Sequence, residues 1–241
     1  MKEYLLPTLF FKKSWRWFAE PEDVSGIAVS YFFSYAKGDY AGFQRKETVT
    51  SLIDLRESLE VIWGRMRKNF IRKQIEKGAR QGVVVQQSKD FKSFYPLYHS
   101  LSKQKKFGRM SYSTIRSNGL LFLAYYQERV IAGGVFIADG EYMRAWILAS
   151  ARAEEARGQM REVIGEANRM VIWEAIQYAK QTGYQVFDLG GIAPDSNNTG
   201  WRAVAEFKEG FGGARVSAYY YLKIYSPLLR LLIRLRHLMH L

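Results

Sequence analysis

The sequence predicts an α+β fold with a mixed, mostly antiparallel sheet flanked by helices. Three observations carry this. Residues 119–126, 130–138 and 142–150 read as successive strands, the first two joined by Gln127, Glu128 and Arg129 as a hairpin turn. Residues 168–182 then turn amphipathic at helical spacing, with Val171, Trp173, Ala175, Ile176 and Ala179 on one face and Gly183 as the cap. A strand over 184–189 follows at once. Antiparallel strands first and helix–strand afterwards is an α+β order.

The remaining elements fit around that centre. Residues 1–46 form an aromatic-rich entry region with strand patterns near 8–18 and 26–35. Alternation over 48–55 gives another strand, which ends at Asp54 and leads into a helical stretch over 57–82, with Gly82 suited to its C-cap. A short β-branched strand occupies 83–86. Phe91, Phe94, Leu97, Tyr98 and Leu101 recur at helical spacing and predict a helix over 91–106. Beyond 189 a polar loop leads to a strand at 216–223, and Pro227 opens a last helix running to Leu241. The organisation is an N-terminal extension over 1–46, a main domain over 47–225 and a C-terminal helix over 226–241.

Composition excludes several classes of function. The 241 residues are 48% hydrophobic and 15% aromatic, which rules out a disordered chain. A chain of this length buries roughly 70% of its unfolded surface, so a core forms without staples. It has no cysteine, which removes thiolate nucleophiles, Cys-type zinc clusters and disulfides. His99, His237 and His240 form no recognisable triad, and no metal-ligand set is apparent. No run of about 18 apolar residues predicts a membrane span, and the N-terminus is a poor signal peptide, so a cytoplasmic protein is expected. The excess of 36 Lys and Arg over 23 Asp and Glu gives +13 and favours anionic partners: RNA, anionic lipid or a phosphate-bearing substrate.

Part of that charge is concentrated. Between Trp63 and Gly82 lie Arg65, Arg67, Lys68, Arg72, Lys73, Lys77 and Arg80, with Glu76 the only acid. Such a helix repels itself unless an anion lies nearby. Arg65, Arg67, Lys68, Arg72 and Lys73 are therefore candidates for binding a donor's phosphates; an ordinary solvated face is the bland alternative.

Two glycine blocks carry the site candidates. Phe187, Asp188, Leu189, Gly190, Gly191 and Ile192 place a carboxylate and a glycine pair at a strand end. Glycines there tolerate positive φ and let backbone groups approach a ligand. Asp188 either serves a cleft or accepts backbone N–H groups in the turn. In the second block, Phe207, Lys208, Glu209, Gly210, Phe211, Gly212 and Gly213, aromatic neighbours dehydrate the Lys208 ammonium so that its charge acts at low dielectric. The substrate-binding candidates are Asp188, Gly190, Gly191, Phe211 and Gly212.

These blocks resemble the DLGGI…FKxxFGG signature of the Fem (FemABX) aminoacyltransferases, which carry the GNAT acyltransferase fold. Residues 67–83 are similar to that family's basic R-N-I-R-K…G-V helix, and residues 173–184 match its W-E-A-I-x-x-A-K-x-x-G-Y run. The family's Gly-Leu before the Phe-Lys pair is replaced by Ala203 and Val204, with Gly200 and Trp201 slightly earlier. The resemblance covers about residues 47–225, one Fem domain rather than two. It implies an amide-forming transferase without a tightly bound cofactor, in which Lys208 and Phe207 serve the transfer step. It also implies aminoacyl-tRNA as donor and an amine acceptor, lipid-linked or from peptidoglycan assembly. Residues 151–168 lack the R/Q-x-x-G-x-G/A spacing that holds pyrophosphate in CoA-dependent GNAT enzymes. Two rivals stay open: an acyl-CoA or acyl-carrier-protein N-acyltransferase, and a non-catalytic RNA- or membrane-binding module.

The last helix has Arg230, Arg234 and His237 on one face, Arg236 and His240 at another edge, and leucines elsewhere. This is the pattern of a basic amphipathic helix lying in a membrane interface, which places the protein at the inner face of the membrane; packing onto the domain or a partner is the alternative.

Overall fold

The structure, a computed structural model, describes residues 3–7, 11–105, 108–153, 158–193 and 195–231. In chain order the elements are β1 (Glu3–Pro7), β2 (Lys12–Trp17), β3 (Val29–Ser34), β4 (Gln44–Asp54), α1 (Leu59–Arg65), a π turn (Lys68–Arg72), α2 (Lys73–Arg80), β5 (Val84–Ser88), α3 (Phe91–Lys105) and α4 (Tyr112–Asn118). Then come β6 (Leu120–Tyr126), β7 (Arg129–Asp139), β8 (Tyr142–Ser150), α5 (Gln159–Gln181), β9 (Val186–Ile192), α6 (Thr199–Glu209) and β10 (Ala214–Ile224). Strands and helices mix as the sequence predicts. Two compact units divide the chain: residues 1–50 with 216–241, and residues 51–215.

In the first unit β1 pairs antiparallel with β2, β2 parallel with β3, and β3 antiparallel with β10. Phe32, Tyr219 and Tyr221 are buried together with Ala19. The alternate residues are aromatic as well: Trp15 stacks on Tyr31 at 4.9 Å, and Phe33 lies 5.1 Å from Tyr220. The helix expected over 227–241 begins at 227 and is described to 231, and its remainder lies outside the described residues. No helix among the described residues is long and apolar enough to cross a membrane.

In the second unit β5, β6, β7 and β8 are antiparallel neighbours in that order, and β9 adds parallel to β8. Strand alternation splits the core in two. Phe122 and Phe136 point to the face covered by α5, where they meet Phe187, Val171 and Ile172. Leu121, Leu123 and Val135 point to the opposite face and pack on Phe94, Leu97 and Tyr98 of α3. The unit is thus helix, sheet, helix.

Three stretches differ from the sequence expectation. The helix expected over 57–82 breaks at Met66, which is extended (φ −65°, ψ 139°) and buried to 1% exposure. There the Arg67 N–H leaves the helical pattern and donates to Gly210 O at 2.9 Å. A tertiary bond and the burial of Met66 outweigh local helix propensity. Next, α5 begins at Gln159, well before residue 168, because its first turns are buried through Val163, Ile164 and Ala167. Finally, α6 occupies part of the polar loop: the Asn198 side chain caps it, accepting from Gly200 N at 2.9 Å and Trp201 N at 3.2 Å.

Candidate active site

The site begins where a strand pairing ends. β8 and β9 pair in register at Tyr142↔Val186, Met143↔Phe187 and Arg144↔Asp188. Past that last pair β8 continues to Ser150 and β9 to Ile192 without further registered pairing. The registered pairing ends just before the glycine pair, and Gly190 still approaches Ala145 O of β8.

Arg144 and Asp188 close the paired end. Both are buried, at 3% and 0% exposure, and they form an ion pair and hydrogen bond through Arg144 Nη1 and Asp188 Oδ2. The second carboxylate oxygen, Oδ1, accepts from Gly190 N at 2.7 Å. These contacts fit the turn-organising role that the sequence offers for Asp188, with an arginine added. Gly190 has φ +84°, and a Cβ there would lie 3.0 Å from both Ala145 O and Lys208 Nζ. A larger residue would be strained and would press on the ammonium.

Lys208 comes from the last turn of α6. Its stem is partly exposed, but its ammonium is enclosed and donates to Gly191 O at 2.8 Å. Burial and, after it, the nearby Arg144 charge lower its pKa to about 8, with Asp188 opposing the shift. The ammonium thus stands beside the end of that pairing with a proton it can lose near neutral pH.

Phe207 and Phe211 meet edge to face at 5.6 Å. The Arg169 guanidinium lies over Phe207 at 5.3 Å and over Phe70 at 4.9 Å, and its Nε donates to Phe70 O at 2.7 Å. Gly212, at φ +79°, lets the chain pass Arg65 closely: a Cβ there would stand 2.8 Å from Arg65 O. Phe211 and Gly212 line a cavity of about 320 Å³ with Asp54, Glu57 and Arg65. Lys208 does not line this cavity.

The basic stretch is less self-repelling than its sequence implies, because distant acids reach it. Arg65 pairs with Glu57, Arg67 lies 3.1 Å from Glu206, and Lys77 lies 3.1 Å from Glu162 and 2.8 Å from Glu166. Lys68 and Lys73 are exposed and Arg72 is partly buried. A cavity of about 620 Å³ is lined by Lys77, Arg152, Arg161 and Arg169 together with Glu162. Arg144 was missed by sequence reasoning: it is a single arginine in an ordinary strand pattern, and its partner Asp188 lies far along the chain.

The FemAB family profile matches residues 121–219, a span that contains Arg144, Asp188 and Lys208. No curated protein sequence matches the chain. Among solved structures, FemX is 14% identical and superposes with a TM-score of 0.63 over 95% of this chain and 84% of that one. L-PGS from Bacillus licheniformis is 11% identical, with a TM-score of 0.58 over 92% of this chain and 83% of that one. The C-terminal domain of a protein described as a lysylphosphatidylglycerol synthetase, from Agrobacterium fabrum, is 14% identical, with a TM-score of 0.54 over 81% of this chain and 68% of that one. In its motifs over residues 121–219 the chain is FemAB-like, and its mixed α+β fold is that of FemX.

Proposed function

We propose that the protein is an amide-forming acyltransferase that moves an activated acyl group, with aminoacyl-tRNA the favoured donor, onto an amine. The observation that carries this reading is the enclosed Lys208 ammonium beside the end of the β8–β9 pairing. Strands that lose their pairing leave backbone groups for a bound ester, and a desolvated cation there acts on developing negative charge far more strongly than it would in water.

In the proposed reaction the acceptor amine attacks the ester carbonyl, and a C–N bond forms as the carbonyl oxygen becomes an oxyanion. Lys208 stabilises that oxyanion and the leaving ribose oxygen. Collapse breaks the C–O bond, and the amine's proton, relayed through water, ends on the departing hydroxyl. Phe207 shapes the pocket around Lys208. Asp188, held by Arg144 and Gly190, sets the loop and the local charge rather than touching substrate, while Gly190 and Gly191 provide room.

Fem-like resemblance favours a lipid-linked or peptidoglycan precursor as acceptor. Leu228 and Leu231, 57% and 53% exposed beside Arg230, fit a protein that works against the inner face of the membrane. The test is transfer of labelled amino acid from a charged tRNA pool, with and without excess coenzyme A. Transfer that ignores coenzyme A supports the tRNA donor. Competition by coenzyme A favours an acyl-CoA-type donor on the same fold.

A further inference from the structure

Guanidinium groups and aromatic rings alternate along the π turn and the end of α6. Arg67 lies over the Phe70 ring at 4.7 Å, and Arg169 lies over the same ring at 4.9 Å. Arg169 also lies over Phe207 at 5.3 Å, and Phe207 meets Phe211 at 5.6 Å. Three places in the chain supply these groups: the π turn with the residue before it, α5, and α6 with the turn that follows it. No periodicity of one helix brings them together.

Hydrogen bonds fix the middle of the column. Arg169 Nε donates to Phe70 O and Arg169 Nη1 to Gly165 O, both at 2.7 Å. A guanidinium bonded along its edge keeps its flat faces for rings, which an ammonium cannot do. Phe70 thus gives Arg169 both a ring and a carbonyl, and π turns recur where a function needs that kind of distortion. The end of α6 is held by the same turn. The Arg67 N–H donates to Gly210 O at 2.9 Å, and Arg67 Nη1 lies 3.1 Å from Glu206 Oε1. A Cβ on Gly210 would stand 3.0 Å from both Phe70 and Ile71, so α6 ends hard against the turn. Glu206, Phe207 and Gly210 are all held there, and Lys208 lies among them in sequence.

We propose that Arg169 is a positioning residue for Lys208: clamped between Phe70 and Phe207, it seats the last turn of α6 so that Lys208 Nζ stays on Gly191 O. The consequence for catalysis rests on the transferase reading, whereas the seating of Lys208 does not.

The test follows the Lys208 proton in the full chain labelled with 13C-lysine. NMR titration reads it, and the resonance missing from Lys208→Met assigns it. Wild type should titrate near 8. Arg169→Lys keeps the charge but loses the fork and the flat face, and Phe70→Leu removes a ring and no charge. Neither variant alters Arg144 or Asp188, the charges that act on Lys208. In both, the midpoint should rise toward 10.5 as a loosened ammonium regains water. Transfer should show kcat lower by about 10–10²-fold with KM nearly unchanged, as for a displaced catalytic group. Leu97→Ala, which opens a cavity on the opposite face of the sheet, is the control for stability alone. It should unfold at lower temperature and keep the wild-type midpoint and kcat. If Arg169→Lys does not fold, Phe70→Leu decides alone. A midpoint that stays near 8 in either folded variant, an equal rise in Leu97→Ala, or a raised midpoint with unchanged kcat overturns the proposal. A midpoint that rises in both variants while wild type transfers nothing would reject the transferase reading and leave the seating of Lys208 in place.

Discussion

Lys208 Nζ donates to the carbonyl oxygen of Gly191 at 2.8 Å, so the last turn of α6 is fastened to the end of β9. The same strand holds Asp188 against Arg144. Two cations and one carboxylate thus stand together where the registered pairing of β8 and β9 ends, and that arrangement sets the behaviour of the Lys208 proton.

The first consequence is in stability. Lys208 titrates near 8 in the folded protein, below the 10.5 of a free lysine. Between those values the unfolded chain binds a proton that the native state does not, so stability rises with pH. Below about pH 8 the full cost of burying the ammonium is present; above 10.5 it is relieved. Wild type should therefore gain about 3 kcal/mol relative to Lys208→Met between pH 7.5 and 10.5. Denaturant unfolding of both proteins across that range measures it. A constant difference would show that the ammonium is solvated.

Activity should move the opposite way. The ammonium, not the neutral amine, stabilises an oxyanion, so kcat/KM should fall as pH rises through about 8. Asp188→Asn removes the charge that holds the Lys208 pKa up, and should move the fall to lower pH. A rate that climbs through pH 8 would make Lys208 a base instead.

The Arg144–Asp188 pair should behave as a unit. Removing either partner breaks a buried ion pair, a loss of about 3–5 kcal/mol. Arg144→Met/Asp188→Asn should be less damaging than the sum of the single changes, and thermal or urea unfolding of the three variants gives the coupling.

Gly190→Ala tests the geometry without touching a charge. The positive φ costs about 1–2 kcal/mol for an L-residue, and the new Cβ meets Lys208 Nζ and Ala145 O. We expect a folded, modestly destabilised protein with transfer reduced well beyond that stability loss. Full activity would place substrate elsewhere.

Much of this was legible because the decisive residues are adjacent in sequence. Asp188, Gly190 and Gly191 read as a strand end with a turn, and Lys208 between Phe207 and Phe211 read as a dehydrated cation. What could not be read is what reaches in from afar. Arg144 looks like a lone arginine in a hydrophobic strand until β8 pairs with β9. The basic stretch looked unpaired because Glu57, Glu206, Glu162 and Glu166 belong to other elements. The helical pattern breaks at Met66, where the Arg67 N–H bonds to Gly210 O, which no local propensity encodes. α6 was hidden because Trp201 and Val204, 60% and 38% exposed, give it little inward apolar stripe.

The most direct measurement is single-turnover transfer at pH 7.5. Labelled amino acid on a charged tRNA pool is offered with amine-bearing envelope precursors, and alkali-stable amide product is counted for wild type and Lys208→Met. The account predicts amide formation by wild type and a loss of about 10²–10³-fold in the variant, with thermal stability not reduced. Transfer by Lys208→Met at the wild-type rate would contradict it.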